Sequence, residues 1–303
     1  MASIVFLDNE EKNNYLKELK KEHDVRVYDE NVSEVLDEIK DAEIISCRTK
    51  SKFSKDVIDK FSNLKLIVTR TVGVDHLDVE YCKSKNIEVK NVEDYGSYVV
   101  AEHVFALLLS GTRNILKAYK KVKKGEFNFK NLKGYSLNGK VLGVVGTGKI
   151  GEEVIKRAKG FGMEIIAFDV VKKDELVKNF NIRYVELDEL FKESDVITLH
   201  VPLLEQTRHM INNESISKMK EGVILINAAR GELIKTEDLI NNIKKFYFVG
   251  LDVLEDENSF SKENRLLKFK NVLITPHIGF YSSESLKKTY EVSLEKIREF
   301  LGV

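Results

Sequence analysis

The chain has 303 residues, of which 43% are hydrophobic and 32% are charged, and its 49 basic and 49 acidic residues give a formal net charge of zero. This length allows two ordinary domains, and the balanced charge gives no reason to expect nucleic acid or an anionic membrane as a partner. The two cysteines, Cys47 and Cys82, provide neither a disulfide framework nor a metal-ligand spacing, so we expect no metal site.

The chain opens on a short apolar strand, Ser3-Ile4-Val5-Phe6-Leu7, which charged residues follow at once. This layout differs from the basic and then apolar regions of a signal peptide. No apolar run in the sequence approaches the roughly 18 to 20 residues that span a bilayer. We therefore expect a cytoplasmic protein without a membrane partner.

Short apolar segments alternate with charged amphipathic segments along the whole chain. In the first part we predict strands at 4–7, 25–28, 44–47, 66–69 and 87–89. A long helix follows from about 98 to 118, and a second series of strands is predicted at 141–145, 164–168, 196–200, 223–227, 249–253 and 272–275. The segment 282–300 is helical again. Apolar strands joined by helices indicate parallel sheets covered on both faces, so we predict an α/β fold with two doubly wound parallel-sheet domains.

A glycine-rich turn follows the strand at 141–145 and opens a helix, in the order Gly146-Thr147-Gly148-Lys149-Ile150-Gly151. The motif is weak on its own, but it stands between a buried strand and a helix start, as dinucleotide binding requires. Gly146 permits the tight turn, Gly148 lets the backbone approach the pyrophosphate, and Gly151 lets helix and strand pack closely. The helix start, with Lys149 and Ile150, offers free N–H groups to the phosphates.

The next predicted strand, 164–168, ends at Asp169, which stands about where a carboxylate binds the adenosine ribose of a dinucleotide. This carboxylate repels a 2′-phosphate, so we predict NAD rather than NADP as the cofactor. Lys172 and Lys173 argue the other way, since a cation there tolerates the phosphate. An ordinary turn aspartate after a strand is the alternative interpretation of Asp169.

Further motifs stand in a characteristic order along the chain. They are Thr69-Arg70-Thr71-Val72-Gly73-Val74-Asp75-His76, Tyr95 before Val100-Ala101-Glu102-His103, the glycine turn, His200-Val201-Pro202, Asn227-Ala228-Ala229-Arg230-Gly231, Leu251-Asp252-Val253 and Thr275-Pro276-His277-Ile278-Gly279-Phe280-Tyr281. With these motifs the chain, from about residue 66 onward, resembles the D-isomer-specific 2-hydroxyacid dehydrogenases, and within them the D-lactate dehydrogenase branch.

The resemblance implies an organisation as well as an activity. A flavodoxin-like substrate domain, 1–96 with 278–303, would face an inserted Rossmann NAD-binding domain, 97–277, across a cleft. The enzyme would transfer hydride between NAD and a small 2-oxo or 2-hydroxy acid. Family members are commonly homodimers joined through the NAD domain, and the apolar stretch 104–109 fits that interface or the domain core equally well.

Reduction of a 2-oxo acid needs a cation for the carboxylate and an acid for the carbonyl oxygen. Arg230 matches the catalytic arginine of the family, and its planar fork suits a carboxylate. His277 matches the proton donor. Glu257 stands where the family has its catalytic glutamate, and a carboxylate there would fix the imidazole tautomer and stabilise its protonated form. The match is imperfect, because Asn258 replaces the usual proline, and Glu255 and Asp256 are neighbouring alternatives.

The other site residues follow from the resemblance by matching position. The remaining cofactor contacts are Val201, Pro202, Thr207, Ala228, Ala229 and Asp252, and the substrate contacts are Val72, Gly73, Tyr95 and Phe280. Asp252 would accept a hydrogen bond from the nicotinamide carboxamide, although a strand-end cap is an alternative. The aromatic residues favour a pyruvate-like substrate, and ordinary core packing is the alternative interpretation of Tyr281.

Arg48, just after the predicted strand at 44–47, leaves the substrate open. If its side chain points inward, a hydroxypyruvate-like, dicarboxylic or phosphorylated substrate fits, whereas on the surface it has no bearing on the substrate. D-Lactate dehydrogenase is the favoured function. The alternatives are a hydroxypyruvate or glyoxylate reductase, a phosphoglycerate dehydrogenase-like enzyme, and a non-catalytic NAD-sensing binding protein.

Overall fold

The structure is a computed structural model that describes residues 1–9, 15–93 and 95–302, and only the backbone of Asn258. The chain divides into two compact units. The first unit comprises Met1–Tyr95 and Ser282–Val303, and the second unit comprises Gly96–Tyr281. Secondary-structure elements are numbered along the whole chain.

The first unit contains a five-stranded parallel sheet. Its strands are β1 (Ser3–Phe6), β2 (Asp24–Val27), β3 (Ile44–Cys47), β4 (Leu66–Thr69) and β5 (Glu88–Asn91), in the spatial order β2-β1-β3-β4-β5. The inner strands β3 and β4 are buried at every position, as their unbroken apolar sequences predict. The edge strands β2 and β5 are only partly buried, because charged residues alternate with apolar ones in both.

Helices cover both faces of this sheet. They are α1 (Leu19–Glu22), α2 (Val32–Val35), α3 (Lys55–Ile58), α4 (Val79–Ser84) and α12 (Ser283–Leu301). Helix α12 begins at Ser282, whose side chain accepts a hydrogen bond from the Ser285 N–H, and ends at Gly302 in the left-handed conformation. Its buried side chains Tyr290, Leu294 and Ile297 recur at helical spacing and pack with core residues of β1, β3 and β4.

The second unit contains a seven-stranded parallel sheet. Its strands are β6 (Val141–Val145), β7 (Glu164–Phe168), β8 (Arg183–Tyr184), β9 (Val196–Leu199), β10 (Val223–Asn227), β11 (Phe246–Leu251) and β12 (Val272–Ile274), in the order β12-β11-β10-β9-β6-β7-β8. Two parallel α/β sheets confirm the predicted fold class. Strand β8 was not predicted, because two residues that include a charged arginine give no apolar run.

The helices of the second unit are α5 (Ser97–Thr112), α6 (Ile115–Lys123), α7 (Lys149–Gly160), α8 (Asp174–Phe180), α9 (Leu187–Glu193), α10 (Asn213–Lys218) and α11 (Thr236–Asn241). The single helix predicted from 98 to 118 is wrong, since Asn114 adopts φ 52° and separates α5 from α6. Within the described ranges no single helix is long and apolar enough to cross a membrane. The α5–α6 pair, bent by 59°, passes that test only when its two helices are taken together.

Helix α5 packs inside its own unit. Val104, Phe105, Leu107 and Leu108 are buried in one core cluster with Val144, Ile224 and other residues of the sheet. The apolar stretch 104–109 therefore belongs to the domain core, and its apolar character is satisfied without a second chain.

Candidate active site

The glycine turn joins β6 to α7. Gly146 has φ 95°, and a Cβ there would lie 2.7 Å from the carbonyl carbon of His200. A Cβ on Gly151 would lie 2.0 Å from the Gly146 oxygen, so both positions require glycine. A Cβ on Gly148 would meet no atom within 4 Å. Gly148 thus leaves open space at the start of a 12-residue helix, which suits a pyrophosphate. The helix begins with Lys149, which is exposed, and Ile150, which is half-buried.

Asp169 stands directly after β7 and is bonded to the glycine turn. Its Oδ2 accepts hydrogen bonds from the backbone N–H of Thr147 at 2.6 Å and from the Thr147 hydroxyl at 3.1 Å. Its Oδ1 accepts from the Val171 N–H at 3.1 Å. Lys173, one of the two cations that could favour NADP, lies 3.3 Å from the Glu152 carboxylate. The environment of the turn is therefore unfavourable to an added phosphate.

The segment after β9 carries three further cofactor candidates. Val201 is half-buried and Pro202 is exposed. The hydroxyl of Thr207 donates to the Pro202 oxygen at 2.7 Å and accepts from the Leu204 N–H at 2.8 Å, so it closes the turn that presents both residues. The residue before this segment is His200, whose backbone N–H donates to the Val145 oxygen at 2.7 Å. Burial lowers the pKa of His200 to about 3, so its imidazole is neutral.

Arg230 follows β10 in a turn that Asn227 holds. The Asn227 side chain accepts from the Ala229 N–H at 3.0 Å and donates to the Arg230 oxygen at 2.8 Å. Ala228, Ala229 and Arg230 are all half-buried. The guanidinium donates to the Ala229 oxygen at 2.8 Å. The turn thus presents a partly accessible cation at the carboxyl end of a central strand, where ligands bind in parallel sheets.

His277 and Glu257 are in contact. Nδ1 of His277 lies 2.9 Å from Oε2 of Glu257, and the two side chains are 28% and 39% exposed. His277 has φ 54°, and its N–H donates to the Asp252 oxygen at 2.8 Å. Oε1 of Glu257 accepts from the Leu254 N–H at 3.3 Å. The carboxylate of Glu255, the neighbouring alternative, contacts His209 and the Thr236 N–H instead.

Asp252 is 1% exposed and organises the turn that carries His277. Its Oδ1 accepts from the Ile278 N–H at 3.0 Å and from the Thr275 hydroxyl at 2.5 Å, and its Oδ2 accepts from the Gly279 N–H at 2.7 Å. Nε2 of His103, on α5, lies 3.1 Å from Oδ1. In these bonds Asp252 acts as a cap at the end of β11, which was the alternative to a contact with the nicotinamide.

Burial alone raises the pKa of Asp252. Hydrogen bonds from His103 and Thr275 outweigh this effect, so the pKa lies below its usual range and the carboxyl is ionised. The sequence interpretation missed His103 and Thr275 as partners of Asp252. Both lay inside the matched motifs, but no local pattern indicates that a helix residue 149 positions away contacts this carboxylate.

The ring of Phe280 lies close to the imidazole of His277. Their ring centroids are 6.2 Å apart with an interplanar angle of 78°. Phe280 also contacts the half-exposed ring of Tyr281 edge-on at 5.8 Å. The structure therefore brings together Phe280, His277, Glu257 and Asp252 within the second unit.

Two substrate candidates of the first unit, Val72 and Gly73, lie in the loop after β4. Val72 is 50% exposed and its carbonyl accepts from the Asn91 side chain at 2.7 Å. The Thr71 hydroxyl donates to the Gly73 oxygen at 2.6 Å, which fixes the loop. His76, the last residue of the same motif, is buried and its Nε2 lies 2.9 Å from the Thr69 hydroxyl.

Arg48 points inward, because it is only 6% exposed. Its guanidinium carbon lies 5.9 Å from the ring centroid of Tyr95, and its backbone N–H donates to the buried Asp8 carboxylate at 2.8 Å. An arginine over an aromatic ring in this arrangement is a stabilising cation–π contact. Arg48 and Tyr95 form one cluster within the first unit.

Comparison with known proteins gives consistent similarities. The family model for the D-isomer specific 2-hydroxyacid dehydrogenase NAD binding domain matches residues 105–279. Hydroxypyruvate reductase of Thermotoga maritima is 43% identical over 273 residues, which are 89% of this chain and 88% of that protein. D-3-phosphoglycerate dehydrogenase of Methanocaldococcus jannaschii is 42% identical over 271 residues, 88% of this chain and 51% of that protein.

A solved structure is also similar over nearly the whole chain. It is the crystal structure of D-lactate dehydrogenase from Aquifex aeolicus in complex with NAD and lactic acid. Its TM-score is 0.92 at 38% sequence identity, and the match covers 99% of this chain and 96% of that chain.

Proposed function

The chain belongs to the D-isomer-specific 2-hydroxyacid dehydrogenase family and is an NAD-dependent oxidoreductase, and from this premise we propose that it reduces a short 2-oxo acid to the D-2-hydroxy acid. The second unit acts as the NAD-binding domain and the first unit as the substrate domain. Pyruvate is the proposed substrate, so the proposed activity is that of a D-lactate dehydrogenase.

The residues of the second unit fit NAD. The open space at Gly148 and the free end of α7 accept the pyrophosphate, with Gly146, Lys149, Ile150 and Gly151 around it. Asp169 would accept from the ribose hydroxyls. Val201, Pro202 and Thr207 would hold the adenine and ribose, and Ala228, Ala229 and Asp252 would hold the nicotinamide. When bound, NAD carries the hydride of the reaction.

The chemistry rests on one observation, the 2.9 Å contact between Nδ1 of His277 and Glu257. A hydrogen bond from Nδ1 to the carboxylate leaves Nε2 to carry the proton that the carbonyl oxygen receives. The Glu257 charge stabilises the imidazolium before that transfer. Arg230 binds the carboxylate of the substrate and polarises its carbonyl group, which lowers the cost of developing negative charge.

Hydroxypyruvate is a second candidate substrate. The inward position of Arg48 over Tyr95 favours it, since a buried guanidinium offers hydrogen bonds to a polar group on the third carbon. Within the first unit, the backbone of Val72 and Gly73 would then bind the substrate carboxylate. Phosphoglycerate oxidation is the remaining alternative within the family, because Arg48 also suits a phosphate.

A kinetic screen tests the proposal. Pyruvate, 2-oxoisocaproate, phenylpyruvate, hydroxypyruvate, glyoxylate and oxaloacetate are each assayed with NADH and with NADPH. We expect steady NADH oxidation with pyruvate or hydroxypyruvate, and its loss in His277→Ala. His23→Ala is the control, because the His23 side chain accepts a hydrogen bond from the Ala2 N–H in the first unit and lies outside the proposed site. No turnover with any of the six acids would contradict the proposal and favour a non-catalytic NAD-sensing protein.

We also propose that the protein is a cytoplasmic homodimer. The free cysteines, Cys47 and Cys82, are buried thiols that suit a reducing compartment. Six large apolar side chains of α6 and the segment after it are exposed, namely Ile115, Leu116, Tyr119, Val122, Phe127 and Phe129. So many large apolar side chains exposed close together in the sequence favour an interface. In analytical ultracentrifugation we expect the wild-type protein to sediment as a dimer and the double variant Phe127→Ser/Phe129→Ser to sediment as a monomer. A wild-type monomer would refute the assignment.

A further inference from the structure

A histidine–glutamate pair in the second unit takes no part in the chemistry proposed above. Nε2 of His209 lies 2.6 Å from Oε1 of Glu255, and Oε2 of Glu255 accepts from the Thr236 N–H at 2.7 Å. The two side chains are 35% and 28% exposed, so water screens the pair only in part. Burial raises the pKa of Glu255, but the hydrogen bonds from Thr236 and His209 outweigh it and the carboxyl is ionised.

His209 is fixed to the segment that follows Arg230. It adopts φ 53°, and its N–H donates to the Glu232 oxygen at 2.8 Å. Two residues further on, Ile211 forms a parallel bridge with Ile234. The imidazole of His209 therefore projects from backbone that is attached to residues 231–235, the continuation of the Arg230 turn.

Glu255 stands two positions before Glu257, on a segment with a second contact to the Arg230 turn. A Cβ on Gly231 would lie 1.9 Å from the carbonyl carbon of Leu254, so the two backbones touch. The Leu254 N–H in turn donates to Oε1 of Glu257. One close backbone contact defines a point about which a segment can still rotate, whereas the two bonds of the Glu255 side chain add a second point of attachment.

We propose that His209 and Glu255 are a positioning pair for the reaction. They fix the segment 254–257 against the segment 230–236, and so keep the Glu257 carboxylate within hydrogen-bond distance of His277 while Arg230 stays in place. This inference rests on the proposed function, in which Glu257 acts on His277. A carboxylate that drifts by about 1 Å from its partner loses much of its effect on proton transfer.

A double-mutant cycle separates positioning from general stability. His209→Ala removes the bond to Glu255, and we expect kcat to fall about tenfold with an unchanged KM for NADH. His209→Gln keeps an amide that can donate to Glu255, so it restores most of kcat. In a Glu257→Gln background, His209→Ala causes no further loss, because its target is already absent. Lys218→Ala is the matched control, as it removes a surface ion pair with Asp188 in the same unit, and it leaves kcat unchanged.

The imidazole of His277 provides a readout that needs no turnover. Its 15N chemical shifts at fixed pH report the Nδ1 hydrogen bond, and we expect them to move in His209→Ala and in Glu255→Gln but not in Lys218→Ala. Should His209→Ala fail to fold, Glu255→Gln carries the test, since its amide oxygen can still accept from Thr236. Equal losses of kcat in the wild-type and Glu257→Gln backgrounds, or unchanged 15N shifts of His277, would overturn the positioning role of His209 and Glu255. If the wild-type protein turns over no 2-oxo acid, the proposed function is wrong, and the 15N shifts still test whether the pair positions Glu257.

Discussion

Asp252→Asn replaces a carboxylate oxygen by an NH2 group of nearly the same size at the centre of the His277 turn. The carboxylate accepts from Thr275, Ile278 and His103 through Oδ1, and from Gly279 through Oδ2. The asparagine amide loses the fewest hydrogen bonds if its oxygen takes the Oδ1 position and still accepts from Thr275, Ile278 and His103. Its NH2 group then faces the Gly279 N–H, and two donors oppose each other at a site that is 1% exposed.

The cost follows from these bonds. A hydrogen bond to a charged group contributes about 1.5 to 3 kcal/mol, and the three retained bonds weaken because their acceptor is now neutral. The free energy of unfolding of the second unit should fall by about 3 kcal/mol in Asp252→Asn, a large part of the stability of a typical domain. Asp238→Asn is the control, because this 6% exposed carboxylate accepts a hydrogen bond from the Asn213 N–H through Oδ2 and pairs with the half-exposed Lys235 through Oδ1 at 3.5 Å, so its cost should be about 1 kcal/mol.

The assay combines thermal unfolding with steady-state kinetics. Loss of the cap loosens the backbone that holds His277, so kcat/KM should fall about a hundredfold even where the variant is fully folded. A stability loss below that of Asp238→Asn, or an unchanged kcat/KM, would show that the four donors do not depend on the Asp252 charge and refute the reasoning.

Three further predictions concern pH, packing and the cofactor. Because burial depresses the pKa of His200 to about 3, the unfolded chain binds a proton below about pH 6.5 that the folded chain excludes. The contribution of His200 to stability should therefore be fully present above that pH and decrease by about 1.4 kcal/mol per unit below it, so the pH dependence measured by urea titrations should be weaker by this slope in His200→Gln. Gly231→Ala places a methyl group against Leu254, and we expect a drop in kcat beyond its drop in melting temperature; an active, stable variant would contradict the close contact. Glu152→Gln leaves Lys173 without its carboxylate partner, so the ratio of kcat/KM for NADPH to that for NADH should rise severalfold, and an unchanged ratio would show that the lysine has no influence on cofactor choice.

The sequence predicted the strands with unbroken apolar runs, because burial on both faces of a parallel sheet leaves a local signature. The predicted segments 44–47, 66–69, 141–145, 164–168 and 223–227 coincide with β3, β4, β6, β7 and β10. The break at Asn114 was missed, since an asparagine in the left-handed conformation costs little and interrupts no apolar periodicity. The edge strand β8 was missed because pairing with one neighbour leaves little local signal.

The site residues also fall into those that a sequence motif marks and those that only the tertiary structure reveals. Arg230, Glu257 and His277 were candidates because motifs mark them, and the last two are in contact in the structure. The partners of Asp252 and Glu255 depend on which elements lie side by side. His103 is 149 positions from Asp252, and His209 is 46 positions from Glu255. Periodicity states that a helix or strand exists, but not which side chain of another element meets it.

The packing of α12 has a consequence for the order of events during synthesis. Tyr290, Leu294 and Ile297 fill the core that β1, β3 and β4 share, yet the ribosome makes them only after all of Gly96–Tyr281. Until then one apolar face of the five-stranded sheet lacks the part of its cover that α12 provides, whereas every element of the second unit has already been made. We therefore expect the second unit to become protease-resistant first on a nascent chain, and the part that begins the sequence to complete its folding later.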